Sequence, residues 1–153
     1  MTKGASSGKP GLLDINVLIA LIDPAHEFHS PAHRWFQHDR QFGWATCPIT
    51  ENGCLRILSK PGYPFPGLTV SRVRDILAQL IEAEGHRFWS DSVSVLEANR
   101  FEFAGAGPKN VTDLYLLRLA KAFGGRLITF DRTIRWQWVI GCKQDDLEVI
   151  QGS

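Results

Sequence analysis

The first apolar segment, Gly11 to Ile22, is a nearly unbroken hydrophobic run that contains one carboxylate, Asp14, and one amide, Asn16. Continuous hydrophobicity is typical of a strand covered on both faces, so Leu12–Leu13 is predicted to be a central parallel strand. From Val17 onwards the apolar residues continue at helical spacing. Asp14 is therefore predicted to lie between a strand and a helix, at the sheet edge where open α/β folds bind ligands. Capping of that helix is an alternative role for the same carboxylate.

The same reasoning predicts the other strands and helices. Apolar residues at helical spacing, with proline or a capping residue at the start, predict helices, and short apolar runs between turns predict strands. The predicted helices are Ser30–Arg40, Pro48–Lys60, Thr69–Gly85, Val95–Gly107 and one that Thr112 caps and Gly124 ends; the predicted strands are Phe42–Cys47, His86–Trp89, Arg126–Phe130 and Leu147–Ile150. Strands that alternate with helices indicate an α/β fold, with a central, mostly parallel sheet of about 4 to 5 strands flanked by helices.

Composition adds limits on size and location. The length of 153 residues and the apolar content of 44% fit one domain with its own core. Residues 1–10 are polar and are predicted to form a flexible arm before a single domain over residues 11–153. With 17 basic and 16 acidic residues the net charge is +1, so any binding of nucleic acid must depend on local patches. Widely spaced cysteines and short apolar runs predict a cytoplasmic protein without a disulfide framework or a membrane span.

Four carboxylates occupy equivalent places in the predicted βα units. Asp14 and Asp131 each follow a strand, and Glu51 and Asp113 each lie near the start of a helix. In a parallel sheet these places point to one side, so the four side chains can converge. Their mutual repulsion then requires protonation or a cation, and oxygen ligands without His or Cys indicate Mg²⁺ or Mn²⁺. Such a site suits phosphodiester hydrolysis. Taken singly, each acid has an alternative role in helix capping or dipole stabilisation.

These four segments resemble the PIN-domain ribonucleases, and in particular the VapC-type toxins of bacterial type II toxin–antitoxin pairs. The matching segments, in order, are LLDINVLIAL with Asp14, ITENGCLRIL with Glu51, VTDLYLLRLA with Asp113 and LITFDR with Asp131. The resemblance runs from about Leu12 to the end of the chain. It implies a PIN-like fold and a Mg²⁺- or Mn²⁺-dependent endoribonuclease whose four acids hold the metal and the attacking water. One departure is the arm before the first strand, since such toxins usually begin almost directly at that strand.

The resemblance also implies supporting residues and partners. Polar side chains that would orient the acids are Asn16, Thr50, Thr112 and Thr129. The implied partners are RNA, a small VapB-like antitoxin whose tail enters the acidic cleft, and a second copy of the chain in a homodimer. Cations close in sequence to the acids are the candidates for RNA binding: Arg56, Lys60, Lys109 and Arg132. The apolar candidates for an antitoxin groove are Trp35, Phe36, Leu55, Leu58, Tyr63 and Phe65.

Several other functions compete with this one. A receiver-like Mg²⁺-binding signalling domain has a similar fold, but it usually carries paired acids after the first strand and a lysine after the last. A catalytically silent PIN module is disfavoured because all four acids are present. An RNA-processing or DNA-directed nuclease outside a toxin–antitoxin pair is a further alternative, although the related flap nucleases are much longer chains. A zinc site formed by His26, His29, His33 and His38 is also disfavoured, since no Cys or carboxylate completes the pattern.

Overall fold

Short, apolar strands form one parallel sheet that is covered by helices on both faces. The computed structural model describes residues 8–65 and 67–152. Its strands are β1 (Gly11–Leu13), β2 (Trp44–Thr46), β3 (His86–Phe88), β4 (Arg126–Thr129) and β5 (Leu147–Val149), and its α-helices are α1 (Ile15–Ile22), α2 (His29–Asp39), α3 (Pro48–Leu58), α4 (Val70–Leu80) and α5 (Val111–Ala122). The predicted α/β architecture with a parallel sheet flanked by helices is therefore confirmed.

The order of strands across the sheet is β3-β2-β1-β4-β5, and every neighbouring pair is parallel. The central strand β1 pairs with β2 on one side and with β4 on the other. Successive residues of a strand point to opposite faces, so Leu13 packs with α1 to α4 while Leu12 packs with α5. The sheet thus separates two apolar clusters, and this double burial explains why the strands read as continuous rather than alternating apolar runs.

Helix α1 is buried along most of its length and anchors the α3 helix beside it. Its residues Val17 to Leu21 are all buried. A Cβ atom at Gly53 of α3 would lie 2.6 Å from Cδ1 of Ile15, so any larger residue would displace the Ile15 side chain from this close approach. The contact sets the distance between the first turns of α1 and α3, where two of the predicted site residues lie.

The predicted helix Val95–Gly107 is wrong. This segment forms turns and one isolated bridge, in which Phe101 pairs antiparallel with Val139. Asn99 has a positive φ of 62°, which interrupts any helix, and the backbone N–H of Glu102 donates to the carbonyl of Trp138 at 2.8 Å. Hydrogen bonds to a distant part of the chain replace the local ones that a helix would need.

The predicted cap at Thr112 is also wrong, by two residues. Helix α5 begins at Val111 with Asn110 as its N-cap residue, and Thr112 lies exposed in the first turn. The Asn110 side chain instead accepts a hydrogen bond from the N–H of Gly107 at 2.8 Å, which shapes the preceding turn. This places Asp113 in the first turn of α5, as the sequence predicted.

The predicted arm, residues 1–10, extends beyond what the structure describes, since residues 1–7 lie outside the described part. Of the remainder, Lys9 donates from Nζ to a carboxylate oxygen of Asp146 at 2.6 Å, and the carbonyl of Pro10 accepts from the N–H of Arg126 at 3.0 Å. These residues therefore contact the base of the sheet. In the described part of the chain, every helix is too short or too polar to cross a bilayer.

Candidate active site

The candidate site lies where β1 and β4 run side by side. The chain leaves β1 through α1 on one face of the sheet, and it leaves β4 through residues 134–142, which pack with α5 on the other face. This divergence opens a crevice at the carboxyl ends of the two strands, the usual ligand position in open α/β sheets. Asp14 follows β1 directly and Asp131 lies two residues after the end of β4, so both acids are placed at this crevice.

Asp14 is the most deeply placed of the acids, with 6% of its surface exposed. It is the N-cap of α1, where one carboxylate oxygen accepts from the N–H of Ile15 at 2.7 Å. The other oxygen accepts from Oγ1 of Thr129 at 2.8 Å. Burial raises the pKa of Asp14, the two hydrogen bonds oppose that rise, and the charge of Asp131 adds to it. Capping, the alternative role for this residue, is therefore part of how it is positioned.

Asp113 has the most perturbed carboxylate of the group. It is partly buried in the first turn of α5. Burial is the largest cause that raises its pKa to about 7, followed by the negative charges of Asp14 and Asp131. Near neutral pH this carboxyl group is thus divided between its protonated and charged forms, chiefly because it is buried and secondly because two other acids lie near it.

Asp131 is held by the turn that follows β4. Its N–H donates to Oγ1 of Thr129 at 3.1 Å, so one hydroxyl group bonds both Asp14 and the backbone of Asp131. One carboxylate oxygen of Asp131 accepts from the N–H of Thr133 at 2.8 Å and from its hydroxyl at 2.7 Å. Both strand-end aspartates are therefore fixed by hydrogen bonds, which restricts their side-chain rotamers.

Glu51 is held separately, at the end of the next strand. It lies half-buried in the first turn of α3 and accepts from Oγ1 of Thr46 at 2.7 Å. Nε2 of His86 lies 2.8 Å from the same hydroxyl oxygen. Burial lowers the pKa of His86, and the charge of Glu51 partly offsets this effect. The charge of Asp131 raises the pKa of Asp14, and the charges of Asp14 and Asp131 raise that of Asp113. These three aspartates therefore form one electrostatic group, and Glu51 lies beside it.

Comparison with known proteins supports the assignment of the fold. A family model described as the PIN domain matches residues 11–135. The chain belongs to the PIN domain family. Ribonuclease VapC44 of Mycobacterium tuberculosis is 41% identical over 140 residues, which are 91% of this chain and 98% of the relative. Ribonuclease VapC39 of the same organism is 41% identical over 124 residues, 80% of this chain and 89% of the relative. Ribonuclease VapC38 of the same organism is 38% identical over 120 residues, which are 78% of this chain and 84% of the relative. The resemblance inferred from the motifs is confirmed.

The predicted supporting residues of this PIN domain differ in what they contact. Thr129 bonds Asp14 and the backbone of Asp131, as described above. Thr50 is buried, but its hydroxyl bonds the backbone of Cys47 at the start of α3 and so fixes the helix rather than an acid. Asn16 and Thr112 are exposed. In the described part of the chain neither side chain forms a hydrogen bond to an acid.

The sequence did not single out Thr46, His86 or Thr133. Each contacts an acid or the hydroxyl that holds it: Thr46 is the last residue of β2, His86 is the first residue of β3, and Thr133 lies four residues after the end of β4. The signal for Thr46 was its place at the carboxyl end of β2, where a hydroxyl inside an apolar strand must find a partner. His86 carried no such signal, because its contact depends on the pairing of β3 with β2.

Negative charge at the site is not balanced by protein cations. Among the described residues, no Lys, Arg or His forms a salt bridge with Asp14, Glu51, Asp113 or Asp131. Nor are three Asp, Glu, His or Cys side chains in that part of the chain close enough together to enclose a metal ion. An all-oxygen donor set with surplus negative charge fits Mg²⁺ or Mn²⁺ in chemistry.

The histidine cluster has structural contacts instead. Nδ1 of His29 lies 2.7 Å from the carbonyl oxygen of Ala20, and Nε2 of His33 lies 3.1 Å from that of Leu21. Both rings therefore bond carbonyl groups in the last turn of α1, which lack partners within the helix. These contacts fit the preferred packing role of α2 rather than zinc binding.

The predicted groove residues divide into core and surface. Trp35, Phe36 and Leu58 are buried in the cluster under α1 to α4, so their assignment to a docking groove is wrong. Leu55, Tyr63 and Phe65 are half-buried. The hydroxyl of Tyr63 donates to Oδ2 of Asp23 at 2.6 Å, which fixes the proline-rich loop to the end of α1.

The predicted RNA-binding cations are all exposed. Arg56 and Lys60 lie on and just after α3, whereas Lys109 and Arg132 line a common cleft beside Asp131.

Proposed function

We propose that this PIN domain is a Mg²⁺- or Mn²⁺-dependent endoribonuclease that hydrolyses RNA phosphodiester bonds, and that it is the toxin of a toxin–antitoxin pair. The observation that carries the proposal is the electrostatic coupling of Asp113 to Asp14 and Asp131 at the switch point of the sheet: burial first, and then the charges of these two acids, raise the pKa of Asp113 to about 7. The relatives from M. tuberculosis carry the name ribonuclease, which supports the reaction class.

Each acid has a distinct part in this proposal. Asp14, held by Thr129 and by the first turn of α1, presents a fixed carboxylate at the end of β1. Asp131 faces it from β4, and Asp113 closes the group from α5 with a proton that a bound cation would displace. A bound divalent cation would polarise the phosphate and lower the pKa of the attacking water. Glu51, held by Thr46 at the start of α3, would orient that water.

The partners follow from the same site. A cleft of unpaired carboxylates suits the guanidinium of an antitoxin arginine, which bonds carboxylates bidentately. Half-buried Leu55, Tyr63 and Phe65 would contact the antitoxin segment that precedes the arginine. We further propose that the protein acts in the cytoplasm as a homodimer. Its three cysteines are buried, unpaired thiols, which fits a reducing compartment.

The test is cleavage of a mixed RNA panel by the purified protein in EDTA and with Mg²⁺ or Mn²⁺ restored. Asp14→Asn and Asp113→Asn should each reduce cleavage at least 100-fold in metal, while Asp75→Asn, an exposed acid of α4, should leave it unchanged. DNA of the same sequence tests the DNA-directed alternative. Full activity in EDTA, or full activity of both site variants, would overturn the proposal.

A separate experiment tests the toxin assignment. The chain should arrest growth when it is expressed alone, and co-expression of the protein encoded by the neighbouring gene should restore growth. The Asp113→Asn variant should be harmless in both settings. A nuclease that is harmless alone, and whose activity no neighbouring gene product reduces, would remove the toxin role and leave the nuclease role intact.

A further inference from the structure

A cleft of about 490 Å³ lies next to Asp131, on the side of the sheet that carries α5. One wall begins at Arg132, the residue that follows Asp131, and continues to Trp138. The other wall includes Lys109 and Asn110, immediately before α5 and its Asp113. The cleft therefore opens directly beside two of the three acids of the candidate active site.

The charge of the cleft is opposite to that of the acidic site. Lys109, Arg132 and Arg135 line it, and no acidic residue is among its described lining residues. All three cations are exposed, and none forms a salt bridge within residues 8–65 and 67–152. The whole chain has a net charge of only +1, so three cations without acids are a local concentration of positive charge. Such a patch favours phosphate groups.

Aromatic rings supply the second feature. Trp136 and Trp138 line the cleft and are each half-buried, because they also pack on the apolar cluster below α5. The guanidinium carbon of Arg135 lies 5.9 Å from the ring centre of Trp138, so a cation and an indole share one position. Rings of this kind stack on unpaired bases whatever the sequence.

The turn that carries these rings is fixed in place. The carbonyl of Trp138 accepts from the N–H of Glu102 at 2.8 Å, and the N–H of Ile140 donates to the carbonyl of Arg100 at 3.0 Å. These bonds explain why the segment predicted to be a helix is extended here, since it supports the turn across from it. A fixed ring loses little conformational entropy when a base stacks on it.

We propose that this cleft binds single-stranded RNA next to the bond that is cut, with Lys109, Arg132 and Arg135 on the phosphates and the tryptophans under an unpaired base. The proposal rests on the ribonuclease function argued above and deepens it by assigning to Lys109, Arg132, Arg135 and the two tryptophans the binding of the substrate strand beside the acids. Bases within a duplex are stacked on each other and cannot reach the rings. The PIN match ends at residue 135, so both tryptophans follow the part of the chain that the family model matches.

The test is the binding of a fluorescent, unstructured RNA decamer to the full chain in EDTA, measured by anisotropy over a range of salt concentrations. Trp138→Leu should weaken binding about 5- to 100-fold, and Trp138→Phe should largely restore it. Lys109→Gln and Arg132→Gln should each weaken binding and reduce the salt slope by about 0.7. An RNA duplex of the same length should bind wild type more weakly than the single strand.

Matched controls lie on the other side of the sheet or at its edge. Arg72→Gln removes an exposed cation of α4, and Phe88→Leu removes an exposed aromatic ring of β3; both should bind as wild type does. Thermal unfolding checks each variant, and should Trp138→Leu fail to fold, the exposed cations Lys109 and Arg132 decide the matter. If the folded variants of Trp138, Lys109 and Arg132 bind RNA with the affinity and salt slope of the wild type, while the wild type cleaves RNA, the proposed cleft is wrong and the ribonuclease function stands. A wild type that neither binds nor cleaves RNA would overturn the ribonuclease function itself.

Discussion

Replacing Asp113 with asparagine should stabilise the metal-free protein while it abolishes activity. The pKa of Asp113 is raised from its ordinary value of 3.8 to about 7, chiefly by burial and then by the charges of Asp14 and Asp131. A raised carboxyl pKa means that the folded state disfavours the charged form. Metal-free stability therefore falls as the pH rises from about 4 to about 7 and stays low above that range. Asparagine has the same shape and carries no charge, so it avoids this loss.

The magnitude follows from the size of the shift. A change of one pKa unit corresponds to about 1.4 kcal/mol. In a fully buried group, a rise of the pKa from 3.8 to about 7 would therefore lower the free energy of unfolding by about 4 kcal/mol. Asp113 is only partly buried, and solvent screening reduces the expected gain from asparagine to about 1 to 2 kcal/mol at pH 8. In a chain of this length, that gain raises Tm by roughly 3 to 6 °C.

The assay is thermal unfolding in EDTA at pH values from 5 to 8, for wild type, Asp113→Asn and the exposed control Asp75→Asn. The advantage of Asp113→Asn should be largest at pH 8 and should shrink as the pH falls, whereas Asp75→Asn should follow wild type throughout. With millimolar Mn²⁺ the order should reverse, because only wild type retains the full ligand set. If Asp113→Asn lowers Tm in EDTA by the same amount at every pH, the carboxylate is a structural group and the electrostatic reasoning fails.

Three further predictions concern the hydroxyl that holds Asp14, the ion pairs of Asp146 at the base of the sheet, and the effect of Mg²⁺ on stability. Thr129→Val keeps the shape of the side chain but removes the hydroxyl that holds Asp14, and should reduce cleavage about 10- to 100-fold in a protein that still unfolds cooperatively; wild-type turnover would refute this positioning role. Asp146→Asn should destabilise the fold by about 1 to 3 kcal/mol in urea unfolding at pH 7, because it removes a buried acceptor of two lysine ammonium groups; an unchanged midpoint would show that these ion pairs contribute nothing. The rise in Tm caused by Mg²⁺ should be larger at pH 8 than at pH 6, since the proton on Asp113 competes with the cation; equal rises would contradict the shared site.

Much of the fold followed from local patterns. The strands β1, β2 and β4 were visible because burial on both faces requires continuous apolar residues, and the helices between them showed their own period. Position within these units then gave the places of Asp14, Asp113 and Asp131, since strand ends and helix starts share one edge of a parallel sheet.

Other features depend on contacts between distant segments. The segment 95–107 has the composition of a helix, yet its backbone forms hydrogen bonds with residues 138 and 140, on either side of Val139. Patterns within the segment itself cannot predict a partner so far away in the sequence. The contact of His86 with the Thr46 hydroxyl requires the pairing of β2 with β3. The basic cleft is likewise formed by residues from before α5 and after β4, which the sequence separates by more than twenty positions.

The most direct test of the central claim is to measure metal binding and RNA cleavage on the same protein. Free Mn²⁺ would be followed by its electron paramagnetic resonance signal as the ion is titrated into the protein at pH 7.5, with cleavage rates recorded at each point. The acidic site predicts that binding and cleavage half-saturate at the same Mn²⁺ concentration, and that Asp14→Asn weakens binding at least 10-fold. Full-rate cleavage before any Mn²⁺ binds, or unaltered binding by Asp14→Asn, would contradict it.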